Sequence, residues 1–216
     1  MKITIATINL NNRDGLEKTI QSVINQTYFD NIEFIIKDGG STDGSVDIVK
    51  KYEDKIDFWE SGEDGGIFQA FNFLIPHING EYCLFLNSGD IFHANDVVEK
   101  AVPLLDKDIC YGNEMKVGRR VNVARFSDRL DEYFFKTSAL PHQSTFIRSE
   151  LLKEHPYSED WKILGDWLWF REEIMVKKRS YKHLNFIVSD YNLEGLSSVH
   201  QNDFKAERSN YYLKKS

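Results

Sequence analysis

The sequence predicts an α/β fold, a mostly parallel central sheet with helices on both faces, formed by a single domain over residues 1–216. Three observations carry this reading. Short β-rich runs alternate with helical stripes through the first 90 residues, the pattern that β-α-β crossovers require. The strand segments are too continuously apolar to keep one face in water, as a parallel sheet covered on both sides demands. A chain of 216 residues with 41% hydrophobic and 28% charged side chains has enough material for its own core and none of the bias of disordered or fibrous sequences.

Taken in order, residues 3–8 read as the first strand. Beyond the polar stretch 9–14, Leu16, Ile20, Val23 and Ile24 fall at i, i+4, i+7 and i+8, one face of a helix. Residues 32–37 form the second strand, followed by a Gly-rich turn and a helix from Ser45 with Val46, Val49 and Tyr52 inward. Residues 56–59 are the third strand, Ile67, Ala70, Phe71 and Leu74 the next helical stripe, and residues 82–86 a strongly apolar fourth strand. The second half is less regular. Asn95 or Asp96 is placed to cap a helix bearing Val97, Val98, Ala101, Leu104 and Leu105, and Ser149 to cap one bearing Leu151 and Leu152. Residues 109–111 and 121–124 read as strands, and 166–175 as an aromatic-rich helix. With no linker, repeat or low-complexity segment, 1–110 and 111–216 read as two halves of the one domain.

Charge divides along the same line. Residues 1–110 carry 19 acidic and 9 basic side chains, and residues 111–216 carry 15 and 18. Scattered basic residues without a recognition motif argue against nucleic acid as a partner. Two cysteines, Cys83 and Cys110, do not make a disulfide framework. The apolar runs fall short of the roughly 20 residues of a membrane-spanning helix, and the opening MKITIATINLNN turns polar too soon for a signal peptide, so a cytoplasmic protein is expected.

Ligands of such sheets bind beyond the carboxyl ends of the strands, and unusual polar residues gather there. Thr7, Asn9, Asn11, Asn12 and Arg13 follow the first strand, DGGSTDGS the second, GEDGG the third and NSGD the fourth. A P-loop, the G-x-G-x-x-G dinucleotide fingerprint, the G-x-S-x-G elbow and H-E-x-x-H are all absent. Acidic loops repel bare phosphates, so a nucleotide arriving with a divalent metal fits this edge best.

Seven ordered blocks then resemble one known family: Thr7-Ile8-Asn9, SVINQTY at 22–28, DGGSTDGS at 38–45, GEDGGIFQAFN at 62–72, GEYCLFLNSGD at 80–90, LPHQS at 140–144 and ILGDW at 163–167. They are similar to the inverting glycosyltransferases of family 2, which have the GT-A nucleotide-sugar fold, and most of all to short bacterial enzymes of exopolysaccharide, capsule and O-antigen synthesis. The resemblance implies a base pocket of Thr7, Ile8, Asn9, Asp38, Gly39 and Asp64, with Arg13 near the phosphates. It places NSGD at the family's D-x-D metal motif. Asn87 and Gly89 depart from that pattern and leave Asp90 as the ligand of Mg²⁺ or Mn²⁺, with Asn87 and Ser88 toward ribose or diphosphate.

The same resemblance makes Asp166 the catalytic base, and puts His142 near the diphosphate or acceptor and Trp167 in position to stack on a sugar. A single base suffices for inversion, because the acceptor hydroxyl attacks opposite the leaving diphosphate. His200 and Arg208 belong by position to a loop closing over the donor. The activity implied is transfer from a nucleotide-diphosphate sugar, UDP by preference, to a hydroxyl of a bacterial surface glycan linked to lipid pyrophosphate. The basic second half would then touch anionic membrane at its cytoplasmic face. A nucleotidyltransferase and a non-catalytic nucleotide-sugar-binding subunit remain as alternatives from the residues alone.

Overall fold

The computed structural model describes residues 1–118, 121–193 and 201–215, and the strands of those segments join one nine-stranded sheet. The first half alternates as expected: β1 (Ile3–Asn9), α1 (Arg13–Ile24), β2 (Ile32–Asp38), α2 (Ser45–Lys51), β3 (Phe58–Ser61), α3 (Ile67–Leu74) and β4 (Tyr82–Phe85). There follow β5 (Ile91–Phe92), α4 (Val97–Ala101), β6 (Ile109–Val117), β7 (Asn122–Ala124) and α5 (Glu132–Thr137). The chain continues through β8 (Thr145–Arg148), α6 (Ser149–Glu154), α7 (Gly165–Arg171), β9 (Tyr181–Asn192) and α8 (Gln201–Lys215).

The strand order is β3-β2-β1-β4-β8-β6-β9-β5, with β7 on β6. Pairing is parallel from β3 to β4 and again between β6 and β9. It is antiparallel at β4–β8, β8–β6, β9–β5 and β6–β7. The sheet is therefore mixed, where a mostly parallel one was expected. The parallel rule holds where each strand is followed by a crossover helix. It fails in the second half, where a connection as short as that from β6 to β7 cannot carry the chain back to the starting edge.

Period-2 alternation sorts the interior strands between two cores. Ile3 and Ile5 of β1, Phe34 and Ile36 of β2 and Leu84 of β4 face α1, α2 and α4. Ala6, Ile35, Cys83 and Phe85 face α3, α5, α6 and α7. Both cysteines are buried, and burial raises each thiol's pKa above the ordinary value.

Local differences from the sequence reading have identifiable causes. In α2 the buried apolar residues are Ile48 and Val49, while Val46 is half-exposed, so the inward face is rotated toward the carboxyl end of the helix. Ser149 is the first helical residue of α6, and its buried hydroxyl finds no partner, so it is not the cap. Helix α7 begins at Gly165 and passes beyond Arg171 into a π-helical turn, Glu172–Val176. There the fully buried Glu173 meets His155, Lys177 and Arg179.

Trp167 also belongs to the core. It is fully buried, and its indole N–H donates to the carbonyls of Phe135 and Ser138 at 3.0 and 3.1 Å. The ring is thus not a platform for sugar stacking: α7 turns it inward, under Tyr211 and Tyr212 of α8. Trp167→Phe leaves the buried Phe135 carbonyl and the part-buried Ser138 carbonyl without that donor and should cost about 1–3 kcal/mol of stability. Urea denaturation of the two proteins measures the loss.

Candidate active site

The chain runs outward from β1 to β2 and β3 on one side, then returns to β4 on the other edge of β1. The loops after β1 and β4 emerge at this switch, tied together by Asn12 Nδ2 donating to Ser88 O, and such sheets bind ligands in a crevice beyond the strand ends at this point.

On the β2 side, Asp38 organises the crevice. Its fully buried carboxylate accepts from Asn9 Nδ2 at 2.7 Å and Ser41 Oγ at 2.6 Å through Oδ1. Oδ2 accepts from the Gly40 and Ser41 amides and from Ser61 Oγ, at 3.1, 2.9 and 2.7 Å. Burial opposes the charge, but the hydroxyl and amide donors outweigh it and hold the carboxyl below the usual range. A base imide would have to share Oδ1, the less crowded oxygen. Beside it, from the loop after β3, stands Asp64, whose Oδ2 lies 2.9 Å from where a side chain on Gly39 would begin. A larger residue at 39 would push that carboxylate aside. Asp43 ties the neighbouring loop to α1 by accepting the Arg13 amide at 2.8 Å.

On the β4 side, Thr19 of α1 holds the loop: its hydroxyl donates to Asp90 O at 2.7 Å and accepts the Gly89 amide at 3.0 Å. Ser88 is fixed through its carbonyl by Asn12 Nδ2 at 2.9 Å. Asp90 is 6% exposed, and its Oδ1 accepts the Asn192 amide at 2.9 Å. Burial dominates its titration and pushes the carboxyl up to about 7.

Asn87, His142 and Asp166, from three separate sequence blocks, meet in one hydrogen-bonded chain. His142 stands in a short 3-10 turn, His142–Ser144, with its ring edge on Phe71. Its Nδ1 lies 3.0 Å from Asp166 Oδ2, and its Nε2 lies 3.1 Å from Asn87 Nδ2. With a carboxylate accepting at Nδ1, Nε2 of the neutral ring is left to accept from the Asn87 amide. Burial favours that neutral ring, but Asp166, with Asp90 and Glu114 behind it, prevails and raises the histidine's pKa above the ordinary value. Asp166 is in the first turn of α7. Gly165 lets that turn approach, because a side chain there would begin 2.6 Å from the Phe68 ring.

These three residues line a cleft of about 240 Å³ whose walls are mainly Phe68, Phe71, Phe126, Leu140, Ile163 and Phe204. Glu114, Lys116 and Gln143 share its polar end, unanticipated from the sequence. Gln143 donates to buried Glu114 at 2.7 Å, and the signal was available in a glutamate within a largely apolar strand and a glutamine next to His142.

The remaining expected residues do not line this cleft. Thr7 is fully buried and spends its hydroxyl on the Leu86 carbonyl at 2.7 Å, so it joins β1 to the β4 end and does not face a ligand. Arg13 pairs with the exposed Asp14 at 3.1 Å and lies along Gly44. Ile8 is half-buried against the α3–α7 core. Asn9 is buried, with Oδ1 unpartnered. Arg208 packs over Phe204 on α8, and His200 lies outside the described residues. Among the described residues, no helix is long and apolar enough to cross a membrane.

The family model for glycosyl transferase family 2 matches residues 4–158. An uncharacterized glycosyltransferase of Mycobacterium tuberculosis is 33% identical over 171 residues, covering 76% of this chain; the chain spans 65% of that relative's length. A PGL/p-HBAD biosynthesis glycosyltransferase of Mycobacterium bovis is 27% identical over 210 residues, covering 91% of this chain and 78% of its own. Among solved structures, Staphylococcus aureus TarS 1-349 in complex with UDP-GlcNAc superposes with a TM-score of 0.76 at 19% identity, over 89% of this chain and 58% of that one. The mannosyltransferase PcManGT from Pyrobaculum calidifontis, in complex with GDP-Man and Mn2+, superposes with a TM-score of 0.66 at 18% identity, over 88% and 56%.

The Asp38 network sets a pH dependence. Its folded pKa is depressed, so its stabilisation is complete above the unfolded value of about 3.9 and is lost as pH falls through the folded one. Asp38→Asn should be less stable than the parent at pH 7, with the gap narrowing below about pH 4. Thermal melts across that range provide the comparison, and a constant gap would sink the assignment.

Proposed function

Because this chain belongs to glycosyl transferase family 2, we propose that it transfers a sugar, with inversion, from a nucleotide-diphosphate sugar to a hydroxyl of a growing glycan. The observation that carries this reading is the Asn87–His142–Asp166 chain at the polar end of an apolar-walled cleft. Asp166 takes the proton of the acceptor hydroxyl as its oxygen attacks the anomeric carbon. The bond from that carbon to the diphosphate breaks on the opposite face, and the nucleoside diphosphate leaves with the electron pair. His142 holds Asp166 by one oxygen and thereby aims the base, while Asn87 holds the histidine.

The donor half is residues 1–110, with Asn9, Asp38, Gly39 and Asp64 around the base and Ser88 near the ribose or diphosphate. Uracil is the preferred base, supported by the UDP-GlcNAc bound to the structurally similar TarS. Residues 111–216 contribute the base residue and the acceptor walls. A lipid-pyrophosphate-linked saccharide suits walls that join aromatic rings to Lys116, and the basic balance of this half suits an anionic membrane surface.

The donor set at the β4 loop also fits a divalent cation. Asp90 is a buried carboxylate, and Asn87 Oδ1 is a buried acceptor without a partner. No group of three or more His, Cys, Asp or Glu side chains able to hold a metal occurs among the described residues, so phosphates and water would supply most of an octahedral shell. When bound by Asp90 and Asn87, Mg²⁺ or Mn²⁺ would offset the charge of the departing diphosphate.

Two outcomes follow. Asp166→Asn should lose at least about 100-fold in turnover while UDP still binds, as calorimetry would register; full activity would exclude Asp166 as the base. UDP should bind more tightly with Mn²⁺ than without it in the parent protein and equally in Asp90→Ala, and a parent indifferent to Mn²⁺ would argue against the cation.

A further inference from the structure

Helix α8 reaches the candidate active site through one face. Phe204, Glu207 and Tyr211 are spaced i, i+3 and i+7 and therefore project on the same side. Phe204 lines the cleft. Tyr211 sets its ring edge-on to Trp167 and Trp161 and receives a hydrogen bond from Arg171 at 2.9 Å. Between them, Glu207 grips the segment that leads into α7. Its Oε1 accepts the Lys162 amide at 3.1 Å, and Oε2 accepts the Ile163 and Leu164 amides at 3.1 and 2.9 Å.

Three consecutive amides aimed at one carboxylate form a nest, and hydrogen bonds to an ionised acceptor are the strong kind. Locally the sequence cannot supply this. The residue at the N-cap of α7 is Leu164, which has no side-chain acceptor, and a carboxylate from another helix instead secures the three residues that lead into the first turn. The gripped segment ends at Leu164. Gly165 packs on Phe68 and Asp166 comes next.

We propose that Glu207 is a positioning residue for the transfer reaction: by binding the 162–164 amides it fixes the first turn of α7, and with it the orientation of Asp166 toward His142. This rests on Asp166 as the base. Glu207 touches neither donor nor acceptor in this scheme, so its removal should slow the chemical step without weakening donor binding. Misplacing a reacting group by an ångström is enough to cost about 100-fold.

The test compares the parent with Glu207→Ala, Glu207→Gln, Tyr211→Phe and Asp166→Asn. Hydrogen exchange is followed by mass spectrometry in peptides covering 162–166, and UDP release is followed from UDP-GlcNAc and a panel of other UDP-sugars. Glu207→Ala should expose the 162–164 amides to fast exchange and lower kcat by up to about 100-fold at unchanged donor KM. Glu207→Gln, which keeps a carbonyl acceptor, should retain part of both. Tyr211→Phe loosens α8 at its other contact and should lower Tm with kcat unchanged. Unchanged exchange or unchanged kcat in Glu207→Ala would overturn the proposal, as would an equal loss of kcat in Tyr211→Phe. Full turnover by Asp166→Asn would instead sink the base assignment, and the exchange measurement would still report whether Glu207 holds the segment.

Discussion

Strand β1 is paired in parallel on both edges, to β2 from Ile3 to Asn9 and to β4 from Ile3 to Ala6. That double pairing is the constraint from which the site follows. It forces the β1 and β2 loops to emerge together and the β4 loop to emerge on the other side of β1, where Asn12 and Thr19 tie it back. The main-chain bonds continue past the strands: the Gly39 amide donates to Asn9 O at 2.8 Å and the Ser88 amide to Ile8 O at 3.1 Å. Both walls of the crevice are therefore extensions of the same ladder. Loops anchored in this way need little further ordering when a ligand arrives, which lowers the entropic cost of binding.

The proposed base is delivered from the opposite direction. Asp166 is held by a helix that packs on the α3 side of the sheet, through Gly165 against Phe68, while His142 arrives from the turn before β8. Neither is near the nucleotide loops in sequence. Their meeting depends on β8 pairing antiparallel with β4, which brings the turn at 142–144 back to the end of β4 where Asn87 lies. The antiparallel insertion that departs from a simple doubly wound sheet is thus the step that assembles the Asn87–His142–Asp166 chain.

The first-half elements were legible in the sequence because crossover helices and buried strands carry strong periodic signals. Asn87, His142 and Asp166 were legible as candidates through motifs, and the structure joined them. What escaped was whatever depends on direction or on long-range contact. Val46 and Ile48 differ by a rotation of the helix that the short apolar pattern of α2 does not specify. Trp167 lies beside Asp166 in sequence, yet successive helical positions point about 100° apart, so one faces the cleft and its neighbour the core. Glu207 carries no motif at all, because its role exists only once α8 is laid on the start of α7.

The acidic first half illustrates how net charge misleads. Its surplus suggested loops waiting for a cation, yet Asp38 accepts five hydrogen bonds from the chain itself, and Asp43 accepts the Arg13 amide and both the amide and hydroxyl of Ser45. Glu33 likewise binds Thr4, Asn79 and Lys2. Carboxylates filled in this way hold loops in shape, and a ligand must share an oxygen already in use. Asp90 and Asn87 differ in kind. One is a buried carboxyl that burial pushes up to about 7, and the other keeps a buried oxygen without a partner. A buried acceptor left open in this way costs stability, and Asn87 is bonded to the His142–Asp166 pair. The candidate site is therefore marked by individual polar atoms such as these, and the net charge mostly records carboxylates the fold has already used.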